Sequence, residues 1–152
     1  MIRVFYAQPV DAVSSTAVRT SVERLRRLIE GLEVEIVAPY LDETTRAEPS
    51  QLTPEIARQI VQEDYQALDS CDAIVVDMSD EERQAVGMVF EMAYAWSKGK
   101  KVIVYAGASR LGERVWVVAI ADCIGRNWEE VRSYFERSLQ SPLDVPRSLS
   151  NE

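Results

Sequence analysis

Histidine is missing from all 152 positions, and with it the commonest general base and the commonest metal ligand. Any acid or base chemistry must rest on carboxylates, tyrosine, lysine or cysteine. Cysteine is nearly missing as well. Cys71 and Cys123 stand far apart and match no zinc or redox spacing, so both read as reduced, packed thiols. Positive charge is short: 17 Lys and Arg against 25 Asp and Glu leave a net charge of −8, which argues against a nucleic-acid surface. Arg24, Arg26 and Arg27 form one small basic cluster, either a solvated helix face or a phosphate contact. No apolar run approaches the length that crosses a bilayer, and the opening MIRVFYA reads as a strand rather than a signal peptide. The expected location is cytoplasmic.

What is present is globular: 47% hydrophobic and 28% charged residues, in a length that suits one domain. IRVFYA (2–7), VEIVAP (34–39), DAIVVDM (72–78) and KVIVYAG (101–107) read as buried strands, with a short fifth at CIGRN. Between them lie helical segments. Residues 14–32 form an amphipathic helix opened by serines and closed near Gly31, and Thr53 with Pro54 caps another that runs to about Ser70. The segment beginning at Val86, the apolar RVWVVAIADC and WEEVRSYFERSL supply three more. Residues 1–140 are expected to form the domain and 141–152 a loosely ordered tail. Apolar strands alternating with helices predict a doubly wound α/β sandwich of the flavodoxin-like kind, a parallel sheet of about five strands with helices on both faces. Ligands then bind outside the carboxyl ends of the strands, so the loops after Ala7, Pro39, Met78 and Gly107 should line the pocket.

Two acids break the apolar pattern. Glu91 sits inside VGMVFEMAYAWS, a helix apolar on nearly every side, where a carboxylate is costly unless paired or used. Asp64 interrupts a stripe of Ile56, Ile60, Val61 and Leu68 on the preceding helix. Either acid alone could serve structure, capping amides or pairing with arginine. Two of them on the helices flanking one strand point to a shared cleft. Glu91 lies four residues after Gly87, near its helix start, where the dipole favours an ionised nucleophile or electrostatic stabiliser. Asp64 lies nearer the end of its helix, where the field favours a proton donor. Such a pair matches the logic of glycosidic cleavage.

The segment GMVFEMAYAWSKGKKV resembles the nucleoside 2-deoxyribosyltransferase family: a glycine, a glutamate four residues on, a Tyr-Ala pair, then Gly-Lys and a strand. DYQALDSCDAIVVD and VFYAQP are similar to the stretches that precede it, and together they cover most of residues 2–105. The resemblance implies that Glu91 is the nucleophile, holding the sugar as a covalent ester until a base or water takes it. It implies that Asp64 contacts and helps protonate the nucleobase. Phe5 occupies a position where many members have tyrosine, with Tyr6 beside it. Gln8 and Gly87 fall in the matching loop and helix start and are assigned to substrate binding. Tyr94, three residues past Glu91, packs or hydrogen-bonds to it. Position 85 is alanine where many transferases carry an acid that reads the base, and RVWVVAI lacks the Asn-x-Met that a neighbouring subunit often lends. Hydrolysis, as in the related nucleotide N-glycosidases, is therefore an alternative to transfer, and a non-catalytic nucleotide sensor is a third. A 5′-phosphate would meet Ser14, Ser15 and Arg19, though both serines also fit simple helix capping.

No metal or organic cofactor is implied. Asp77, Asp80, Glu81 and Glu82 gather after the third strand and fit either a hydrated magnesium ion or a solvated acidic loop. Trp96, Trp116 and Trp128 read as core or interface. RVWVVAI is more apolar than a small domain needs, which predicts a contact with a second copy in a homodimer or larger homo-oligomer. The expected partner is otherwise a small nucleoside or nucleotide.

Overall fold

The computed structural model describes residues 1–10, 14–41, 52–83 and 86–140. Position 85 and the 141–152 tail lie outside those residues. In chain order the elements are β1 (Ile2–Ala7), α1 (Ser15–Leu28), β2 (Val34–Val37), a 3-10 turn (Pro39–Leu41) and α2 (Pro54–Asp69). There follow β3 (Ala73–Asp77), α3 (Val86–Ser97), β4 (Lys101–Tyr105), a second 3-10 turn (Arg110–Glu113), α4 (Val115–Ile120), β5 (Cys123–Gly125) and α5 (Trp128–Gln140).

All five strands are parallel, in the order β2-β1-β3-β4-β5. The expected doubly wound α/β sandwich is therefore the fold, and strand order reverses between β1 and β3. The reason is in the strand sequences. Val4, Phe5, Tyr6, Ile74, Val75, Val76, Val102, Ile103 and Val104 are fully enclosed, so these strands carry apolar side chains toward both faces rather than alternating with polar ones. One face packs against α1 and α5 through Val22, Leu25, Val131 and Phe135. The other packs against α2, α3 and α4 through Leu68, Met88, Met92, Ala95, Val117 and Ile120.

Local chemistry sets the helix ends. Ser14 Oγ accepts from the amide of Ala17, and Thr53 Oγ1 accepts from that of Ile56 with Pro54 in the first helical turn. Gly99, at φ 71°, takes the left-handed conformation that turns the chain from α3 into β4.

Two expectations about helix faces need correction. Helix α3 is not buried all round: Met88, Met92 and Ala95 face the sheet, while Val86, Val89 and Phe90 are 67%, 52% and 63% exposed. A single helix layer covers only one side of it. On α2 only Leu68 is buried, and Val61 is 49% exposed, so the stripe around Asp64 is narrower than its spacing suggested.

Candidate active site

The carboxyl ends of β1, β2 and β3 meet at the strand-order reversal, and polar side chains gather there. Tyr6, at the end of β1, donates its hydroxyl to Asp77 Oδ2 at the end of β3 (2.9 Å). Asp77 Oδ1 accepts from the Ser79 amide and hydroxyl at 3.0 and 2.6 Å. Just past β2, Tyr40 donates its hydroxyl to the Tyr6 carbonyl oxygen at 2.6 Å. Gln8, only 7% exposed, donates from Nε2 to the Val18 carbonyl (3.1 Å) and to the Tyr40 oxygen (3.2 Å). Three strand ends and α1 are thus fastened by one polar network.

Asp64 and Glu91 approach this rim from the helix layer above, since α2 packs both on the 3-10 turn that carries Tyr40 and on α3. Both side chains are half-buried. Burial pushes the Glu91 carboxyl up to about 8, and the negative charge of Asp64 adds to that rise. Tyr40 is held well above its ordinary phenol value, by burial first, against a lowering from its hydrogen bond with Gln8, and then by the charges of Glu91, Asp64 and Asp77. Its proton stays in place at any working pH.

The direction at Glu91 therefore runs opposite to the expectation of an ionised carboxylate. Glu91 is the sixth residue of α3, beyond the first turn where the dipole acts, so desolvation and its acidic neighbour win. At neutral pH the pair retains a proton that two solvated carboxylates would have lost.

The remaining assigned residues divide. Phe5 is fully enclosed on the α2–α3 side of the sheet and forms floor rather than lining. Gly87 sits in the first turn of α3, where an added Cβ would meet nothing within 4 Å. Packing does not explain that glycine, which costs helix stability relative to alanine. Ser14 caps α1, and Ser15 is its exposed first residue. Arg19 donates to the Leu41 carbonyl at 3.1 Å, which ties α1 to the 3-10 turn. Tyr94 turns away from the pair. Its ring stacks on Tyr65 at 4.1 Å between centroids, its hydroxyl donates to Asp69 at 2.9 Å, and Lys98 lies 5.2 Å above it. The packing alternative holds for Tyr94.

Three of the four acids at or after the end of β3, Asp77, Asp80 and Glu81, are also spoken for. Asp80 pairs with Arg83 at 3.3 Å, and Glu81 accepts from the Arg110 amide. Among the described residues no group of three or more potential metal ligands converges. A hollow of about 330 Å³ lined by Glu81, Arg110, Leu111, Glu113 and Arg114 opens between the β3 and β4 loops, and includes neither Asp64 nor Glu91. Tyr40 is the site residue that the sequence reading passed over. The signal was available, an aromatic directly after a strand whose carboxyl end must face the ligand, but it opens a polar stretch that reads as plain loop.

Fold and site together define a class: a doubly wound α/β domain with a half-buried acid pair beside its strand-order reversal. The nucleoside 2-deoxyribosyltransferase family pattern matches residues 11–123, and the chain belongs to that family. No curated protein sequence matches the chain. Solved structures share the fold at low identity. A conserved protein from Enterococcus faecalis V583 superimposes with a TM-score of 0.68 at 14% identity, covering 90% of this chain and 98% of its own. A 2-deoxyribosyltransferase from Bacillus psychrosaccharolyticus gives 0.66 at 16%, covering 87% and 91%. A CMP N-glycosidase from Clostridium botulinum gives 0.53 at 16%, covering 89% and 98%. Among the described residues no helix is long and apolar enough to cross a membrane.

Proposed function

We propose that the protein cleaves the N-glycosidic bond of a nucleoside or nucleoside monophosphate through Glu91 and Asp64. The observation that carries this reading is the placement of two half-buried carboxyls, Asp64 and Glu91, on neighbouring helices over the strand-order reversal, where burial makes Glu91 a weaker acid than a solvated carboxyl. A pair that keeps one proton at neutral pH can supply both things the reaction needs, a carboxylate and an acid. With the shared proton on Asp64, the Glu91 carboxylate attacks the anomeric carbon and forms an ester bond. The C1′–N bond breaks with its electron pair going to the base, and Asp64 gives the base its proton. Either a second base attacks C1′ through a ring nitrogen, loses that nitrogen's proton to Asp64 and displaces Glu91, which is transfer, or water does so and loses a proton to Asp64, which is hydrolysis. Both routes return the pair to its starting charge.

A second copy of the chain completes this picture. On neighbouring helices of one layer, Val86, Val89, Phe90, Val115, Trp116 and Val118 are all more than half exposed. Together they offer several hundred Å² of apolar surface, about the scale of one side of a standard interface. These six positions carry no charge, so the contact does not set one net −8 chain directly against another. The face includes the first turns of α3, so a second copy seated on it would lie near Glu91.

The test is direct. The protein is incubated with deoxynucleosides, ribonucleosides and their monophosphates, with and without free adenine, and base release is followed by chromatography. Base exchange identifies a transferase, free base alone a hydrolase, and tight binding with neither product a sensor. Full activity in Glu91→Ala would remove that residue from the mechanism.

A further inference from the structure

The Gln8 amide has a fixed orientation, and the reason lies in its neighbours. Its two contacts are the Val18 carbonyl and the Tyr40 oxygen. A carbonyl can only accept. The Tyr40 oxygen has already given its proton to the Tyr6 carbonyl at 2.6 Å, so toward Gln8 it also can only accept. Both contacts demand the amide nitrogen, and a flip would set oxygen against oxygen twice. The Gln8 carbonyl oxygen is the polar atom left over. Among the described residues it accepts no hydrogen bond, and it is not sealed from the surface.

We propose that Tyr40 is a positioning residue that locks the Gln8 amide with its oxygen presented to the ligand, so that the rim reads a sugar hydroxyl as a hydrogen-bond donor. The inference rests on the glycosidic reading and names what the same site selects: a hydroxyl-bearing sugar over its deoxygenated analogue. The surroundings agree. Tyr40 hangs between Gln8 and the helix layer that bears Asp64 and Glu91, with Asp77 across the network through Tyr6. Besides the Gln8 oxygen, the carboxyls of Asp64, Glu91 and Asp77 set negative charge around the Tyr40 hydroxyl. That environment welcomes O–H donors and opposes a phosphate, whose place must be elsewhere on the ligand's path. The lock holds across pH because the buried Tyr40 phenol does not ionise. An amide with both hydrogens committed cannot turn to satisfy a ligand that lacks the hydroxyl, and a site built for a hydroxyl discriminates strongly against its absence.

The experiment compares a 2′-deoxynucleoside with its 2′,3′-dideoxy counterpart, in kcat/KM and in binding to a Glu91→Gln background. The wild-type chain, Tyr40→Phe and Gln8→Met are used, with Tm recorded for each. The wild type is expected to favour the hydroxylated sugar at least about tenfold. In both variants that ratio is expected to fall below about threefold, through loss on the hydroxylated sugar, while the dideoxy sugar is handled as before. Equal losses on both sugars would reduce Tyr40 to a structural role and overturn the proposal, as would a wild type that does not discriminate. Discrimination in binding without any base release would keep the lock and sink the glycosidic reading. Base release without discrimination would do the reverse.

Discussion

The two helix layers on this sheet are built on opposite plans. Under α1 and α5 the pattern is ordinary: Val22, Leu25, Val131 and Phe135 point in, and Arg24, Arg26, Arg27 and Glu129 lie outside. Over α2, α3 and α4 it is inverted. Asp64 and Glu91 are half-buried on that side, while Phe90, Val115 and Trp116 face outward at 63%, 81% and 78% exposure. A layer that buries acid and exposes aromatic is unfavourable for an isolated domain on both counts. Both layers bury a core against the sheet, but under the proposed function the second gives up some stability for an acid pair and for a face that a second copy would cover.

The largest expected effect comes from undoing the inversion at its centre. Glu91→Gln should lower kcat by at least about a thousandfold in the base-release assay, since the amide cannot form the ester. The same change should stabilise the protein. The folded chain keeps the Glu91 proton up to about pH 8, whereas the unfolded chain loses it near 4.5. Between those values unfolding releases a proton, so the native state loses stability as pH rises, and the penalty is complete above 8. Its removal is worth on the order of a few kcal/mol at pH 8 and almost nothing at pH 4.5. Melting curves of both proteins across that range check it; a difference that does not grow with pH would contradict the assignment.

Next in size is a matched pair of truncations. Phe135→Ala, in the conventional layer, removes a ring 1% exposed and should cost about 3–5 kcal/mol in denaturant unfolding. Phe90→Ala, in the inverted layer, should change the monomer by only about 0.5 kcal/mol. If Phe90→Ala proves just as costly when association is prevented, its ring is packed within the monomer. Trp116→Glu sharpens the same contrast through assembly: light scattering should show the smaller species at concentrations where the wild type associates.

The smallest effect is in the pH profile. Because the reactive pair must hold one proton, kcat/KM should fall tenfold per unit above about pH 8, with both carboxyls ionised and no acid left for the base. Activity that instead rises through pH 8 would mean that Glu91 works without the shared proton.

Most of the fold was legible because it depends on pattern. Unbroken apolar strands between helical stretches leave few alternatives to a covered parallel sheet, and the Thr53–Pro54 start of α2 was readable from two residues. The acid pair was legible as a fault in that pattern. Its electrostatics were not, because the rise at Glu91 comes from burial and from Asp64, which lies 27 positions earlier in the chain and is brought close only by helix packing. The same holds for Tyr40 and Gln8, whose roles depend on hydrogen bonds among β1, β2 and α1. The wet face of α3 was misread for a related reason. An all-apolar helix looks buried in sequence whether its outer side meets the same chain or another.

The central claim is that Glu91 bonds to the sugar, and it is tested most directly by trapping. A 2′-fluorinated nucleoside, whose fluorine destabilises the oxocarbenium-like state and slows release, is incubated with the protein, which is then digested and weighed by mass spectrometry. The expected result is a sugar-sized mass addition on the peptide containing Glu91, absent in Glu91→Gln. Continued release of base with that peptide unmodified, and with Glu91→Gln fully active, would contradict it.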